Sequence, residues 1–189
     1  MTWRGLAGLS IVGALLVTVL LPRGGVAGTA PLRVAVMEFT NAAPAGDLAT
    51  LGKGLQSMIT TDLAGVPSLQ LIERARLSDV VGELKLGRSG LVEAGTASRV
   101  GKLAGATHLL AGSFTVVGAR MRLDGRLFAV ESGTTLLAES IEGERDAFFE
   151  LEKSLVAKIV DKLGVKLQPK ERAALARPHT TDFEAFQSF

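Results

Sequence analysis

The run THLLAGSFTVV (Thr107 to Val117), followed by Gly118-Ala119, RMRLDGRLFAV (Arg120 to Val130), Ser132-Gly133 and TTLLAESI (Thr134 to Ile141), decides the fold. Three apolar-rich segments separated by short links predict an antiparallel meander, and glycine first in the two-residue Gly118-Ala119 link suits a type II′ hairpin turn. Along the middle segment Met121, Leu123, Leu127 and Ala129 face one way and Arg120, Arg122, Asp124 and Arg126 the other, the alternation of a half-buried strand.

Upstream of the meander, Arg33 to Phe39 (RVAVMEF) is apolar without alternation, as in a strand covered on both faces. Asn41, Pro44 and Gly46 mark a loop from Thr40 to Gly46, and Asp47 is placed to cap a helix carrying Leu48, Leu51, Leu55, Met58, Ile59 and Leu63. Gly65 and Pro67 end that helix. Leu69 to Glu73 is a second strand, and the helical crossover predicts a parallel pair. Leu77, Val80, Val81 and Leu84 mark a second helix, Gly87 to Gly90 a flexible joint, and Ala97, Val100, Leu103 and Ala104 a third helix capped by a left-handed Gly105. After the meander, a long amphipathic helix from about Arg145 to Leu163 turns Phe148, Leu151, Leu155, Val156, Ile159, Val160 and Leu163 inward and closes at Gly164. The expected class is α/β, in the order β-α-β-α-α-β-β-β-α, with a mixed sheet flanked by helices.

Residues 1–27 read as an export signal: Arg4, an apolar run from Gly5 to Leu21, Pro22, then small residues to a cleavage point after Ala27. An uncleaved membrane anchor is the competing reading of that run. All 19 acidic residues lie beyond residue 27, whereas two of the 21 basic ones, Arg4 and Arg23, lie before it, so the 162 residues that follow balance to zero charge. No basic excess remains to displace counterions from a phosphate backbone, which argues against nucleic acid as partner. Residues 32–164 are expected to form the domain. Residues 165–189 are a linker with a short Lys/Arg/Glu/Ala helix between Pro169 and Pro178 and an end that spaces Phe183, Phe186 and Phe189 on one helical side.

The chain contains no Cys, no Tyr and two His, which excludes thiol chemistry, cysteine-held metals and phenol catalysis. Gly52-Lys53-Gly54 and Gly101-Lys102-Leu103-Ala104-Gly105 both fail the phosphate-loop pattern and read as glycines for close helix packing or capping. His108 and His179 have no third ligand at metal spacing. Ser89 lies in no nucleophile elbow. Glu38 and Glu73, the acids of two apolar strands, are the candidate acid–base pair of a small hydrolase; the plainer reading pairs them with backbone or with Arg74, Arg76 or Arg126. The Arg120, Arg122, Arg126 row reads as the wet face of a strand, as an anion-binding surface, or as a subunit contact. No catalytic, cofactor-binding or metal-binding residue is assigned, and no cofactor is expected.

VAVMEFTN (Val34 to Asn41), LQLIER (Leu69 to Arg74), Leu77 with Glu83-Leu84, GKLAGATHLLAGS (Gly101 to Ser113) and RLFAVESG (Arg126 to Gly133) together resemble the CsgG family. This is the curli production assembly/transport component, with related penicillin-binding-protein activators and TolB N-terminal-like domains. The likeness spans about residues 32 to 164. It implies an exported, non-enzymatic domain at the Gram-negative outer membrane, periplasmic or membrane-associated, that docks to envelope or secretion proteins or self-associates in rings. It also brings an alternative, a subunit of an outer-membrane secretion channel. Two features depart from the channel pattern: there is no Cys to acylate, and the tight turns at Gly118-Ala119 and Ser132-Gly133 give hairpins that do not project far.

Overall fold

Val34, Ala35 and Val36 are all buried, so the first strand is covered on both faces, as its unbroken apolar run requires. The computed structural model describes residues 31–43, 48–84 and 93–178. The leader at 1–27, the Asp47 cap, the Gly87 to Gly90 joint, Ser89, His179 and the phenylalanines from Phe183 onward lie outside them.

Strand β1 (Leu32–Val36) pairs in parallel with β3 (Leu69–Leu71) on one side and β4 (His108–Val117) on the other. Helix α1 (Ala49–Ala64) links β1 to β3, while α2 (Arg74–Glu83) and α3 (Ala94–Ala104) carry the chain from β3 across β1 to β4. Strands β4, β5 (Arg120–Ala129) and β6 (Thr135–Glu144) then form the antiparallel meander, giving a mixed sheet in the order β3-β1-β4-β5-β6. A 3-10 turn at Arg145–Ala147 leads into α4 (Phe148–Lys162). The described chain ends after α5 (Pro169–Leu175), whose start is closed by a reciprocal Gln168–Glu171 capping box.

Three details differ from the sequence expectation. The segment after β1 is not all loop: Thr40–Asn41 forms a short strand, β2, alongside Ser113 and Phe114 of β4, so the sheet has six strands. Two residues are too few to show a period, and Asn41 hides the strand by also accepting the Ala43 amide in a turn. The residue preceding α1 is Leu48, which offers no side-chain cap. β6 runs three residues past Ile141, because Arg122 and Arg120 pair across to Glu142 and Glu144, and Gly143 lets Leu151 of α4 approach. Gly105 does take the left-handed conformation (φ +79°), and Arg76 donates to the Ala104 carbonyl (2.9 Å) at that helix end.

The side chains divide into two cores. One face of the sheet, with Val34, Val36, Leu110, Phe114, Leu123 and Leu127, is covered by α1 and α4. The opposite face carries Ala35, Leu109, Ala111, Phe128 and Val130 and is covered by α2 and α3. That second cover is partial. Along β5 the same face that presents Phe128 under a helix presents Arg126, Asp124, Arg122 and Arg120 toward the hairpin end, and there the row is open to solvent apart from the half-buried Asp124.

Candidate functional site

The uncovered end of the second sheet face is built from alternate residues of the three meander strands. Thr115 and Val117 come from β4, Arg120, Arg122, Asp124 and Arg126 from β5, and Ser140, Glu142 and Glu144 from β6, in the register Asp124 to Ser140, Arg122 to Glu142 and Arg120 to Glu144. Cross-strand pairs of opposite charge sit directly opposite one another, the arrangement that stabilises a wet sheet face. Arg122 is the centre. Its guanidinium donates to Asp124 (2.9 and 3.0 Å), to Glu142 Oε1 (3.1 Å) and to Ser140 Oγ (2.8 Å), and the Ser140 hydroxyl donates in turn to Asp124. Arg120 pairs with Glu144 at 3.2 Å, and Arg126 makes no ion pair among the described residues. Val117, at the tip of the β4–β5 hairpin, is 70% exposed.

Hydrogen bonding to Asp124 and its charge raise the Arg122 pKa against a loss of solvation, and Glu142 adds to both. Partial burial pulls the Asp124 carboxyl upward. Hydrogen bonds from Arg122 and Ser140, with the Arg122 and Arg126 charges, outweigh it and hold the carboxyl below its ordinary value. The folded state therefore favours the Asp124 anion, and this contribution is present above the ordinary carboxylate pKa and lost as the pH falls through the lower folded value. In an NMR titration Asp124 is expected to protonate below the ordinary carboxylate range, and Arg122→Ala should move its midpoint upward. An unmoved midpoint would contradict the pairing.

Chemically this face is a self-neutralised, nearly flat polar surface with shallow depressions over Arg122 and Asp124. The Arg120 and Arg122 donors are committed to carboxylates of the same face, which suits matching against another protein's polar groups better than activating a substrate.

The sequence candidates are dispersed. Glu38 is half-buried in the segment after β1 and Glu73 is exposed just before α2. Gly52 lies inside α1 against the Phe39 backbone, and Gly101 lies inside α3 against Val130, so both serve packing. His108 is half-buried with Nδ1 3.0 Å from the Thr107 hydroxyl, and burial lowers its pKa. Among the described residues no three His, Cys, Asp or Glu side chains gather as a metal site. What sequence reasoning passed over is a buried charged trio, Asp62 on α1 with Glu152 and Lys153 on α4. Its signal was present: Glu152 occupies the inward stripe of α4, three residues after Phe149 and three before Leu155.

Comparison with known proteins agrees with this architecture. The family model for the curli production assembly/transport component CsgG matches residues 27–135, ending at the first residue of β6. No curated protein matches the chain. Among solved structures, the LpoB C-terminal domain from Salmonella enterica superposes with a TM-score of 0.50 at 18% identity, over 63% of this chain and 87% of that one. Lipoprotein GNA1162 from Neisseria meningitidis gives 0.50 at 15% identity, over 73% and 100%. TolB from Acinetobacter baumannii gives 0.49 at 15%, over 72% of this chain and 29% of its own. At these identities the LpoB domain and GNA1162 show a shared fold and nothing more. The family match spans more than half of the sequence, and the chain belongs to the CsgG family.

Proposed function

We propose that this is an exported, non-catalytic envelope protein that acts through protein contacts in assembly or transport at the outer membrane of a Gram-negative bacterium. Membership of the CsgG family carries the reading. In this reading residues 1–27 are a removable leader, 32–164 are the docking domain, and 165–189 are a linker with a short helix toward a neighbouring component. The open face of Arg120, Arg122, Asp124 and Glu142 is the docking surface, since its charges are paired in plane and its backbone is held rigid by the meander.

A photo-crosslinking residue at Thr115, introduced into the full chain in cells, is expected to capture a discrete envelope protein in the outer-membrane fraction. Arg122→Glu should abolish that product without unfolding the domain. Recovery of nothing above background in the parent would overturn the reading. The family's transport description supports a second reading, a ring subunit of a secretion channel. Ion conductance of purified protein in planar bilayers would select it. Replacing Glu38 and Glu73 together by Gln is expected to leave the cellular phenotype intact, and a loss would favour the hydrolase reading.

A further inference from the structure

Helices α1 and α4 pack against each other over the larger core, and their contact encloses three ionisable side chains. Glu152 is 0% exposed, Asp62 6% and Lys153 8%. The Lys153 ammonium binds the Asp62 carboxylate directly and lies 3.5 Å from Glu152 Oε2. Neither Glu152 oxygen has a hydrogen-bond partner among the described residues. A buried anion in that condition is among the most costly states a core can hold.

The neighbouring groups leave one inexpensive arrangement. Asp62 from α1 and Lys153 from α4 are the charges that act on Glu152. Of the other charged groups around α4, Glu139 of β6 pairs with Lys158, Asp161 with Arg172 of α5, and Arg145 with Asp146 in the 3-10 turn, while Glu150 and Lys162 are exposed. Two carboxyls beside one ammonium are neutral as a set only if one of them carries a proton. A proton on Glu152 turns a repelled oxygen into a donor toward Asp62.

We propose that Asp62, Glu152 and Lys153 form a proton-dependent clamp between α1 and α4, closed when Glu152 is protonated and strained when it ionises. Burial, followed by the Asp62 charge, raises the Glu152 pKa from 4.5 to about 8, with Lys153 acting in the opposite direction. The sign follows from the raised value. The unfolded chain releases this proton near the ordinary pKa and the folded one near the higher, so the stabilisation is fully present below about 4.5, declines up to about 8, and is flat above. Within that window one bound proton makes the unfolding constant rise about tenfold per pH unit.

The test compares urea unfolding of the full chain and Glu152→Gln between pH 5 and 9. The Gln amide donates to Asp62 as the neutral acid does, but does not ionise. The variant is expected to match the parent near pH 5 and to be at least tenfold less unfolded than the parent at pH 8.5. Parallel profiles would overturn the clamp. Should the variant fail to fold, the carbon-13 shift of the Glu152 carboxyl in the parent decides: a midpoint well above the ordinary range supports the clamp, and one near 4.5 overturns it.

Discussion

Gly112→Ala is expected to destabilise the protein by more than about 3 kcal/mol in urea unfolding, because overpacking a rigid site exceeds the usual cost of one added methyl. A Cβ at Gly112 would stand 2.2 Å from the Phe39 ring and 2.5 Å from the Asp124 carbonyl oxygen. Neither neighbour has room to give. Phe39 is 1% exposed, and its own backbone lies against Gly52 of α1, where a Cβ would meet the Phe39 carbonyl oxygen at 1.9 Å. Asp124 is held in the middle of the β4–β5 ladder. Phe39 is thus a rivet between α1 and β4 in the short segment that separates β1 from β2. Gly82→Ala is the contrasting case. Nothing lies within 4 Å of that position on α2, and the change should stabilise by about 0.4–1 kcal/mol through the loss of unfolded-state freedom. Equal effects at the two sites would refute the packing argument.

The location of the rivet shows what the sequence could and could not convey. The meander, the parallel β1–α1–β3 start and the amphipathic faces of α1 and α4 were legible, because each depends on a period repeated over enough residues to be read. The β2 pairing was not, since two residues beside Ser113 and Phe114 owe their strand to the position of β4, a tertiary fact. The open polar face was half legible. Alternation on β5 placed Arg120, Arg122 and Arg126 together, but the pairing of Arg120 with Glu144 and of Arg122 with Glu142 depends on the β5–β6 register, which the turn at Ser132-Gly133 did not disclose. That register contains an extra residue, Leu136, between the partners of Leu127 and Phe128. Glu152 was missed for another reason. A single charge in an apolar stripe does not announce its burial, which here depends on Asp62 of α1, whose ion pair with Lys153 spans 91 residues of sequence.

Lys153→Met bears on that partner directly and is expected to cost about 3–5 kcal/mol at pH 8, the penalty for removing one member of a buried ionic set. Methionine fills the space of the lysine stem, so lost packing contributes little. What disappears is the ammonium, leaving Asp62 and Glu152 together in a site where Lys153 is itself only 8% exposed. The cost should shrink on acidification, since protonation removes the charges that the ammonium had offset. The triple change Asp62→Leu, Glu152→Leu and Lys153→Met should recover most of the loss and fall between neutral and about 4 kcal/mol more stable than the parent, as buried ion sets commonly do when replaced by apolar side chains. It should also lose the pH dependence that the single Lys153 change accentuates. A Lys153→Met loss below about 1 kcal/mol at pH 8 would mean that water reaches the trio, and the dry α1–α4 contact would have to be abandoned.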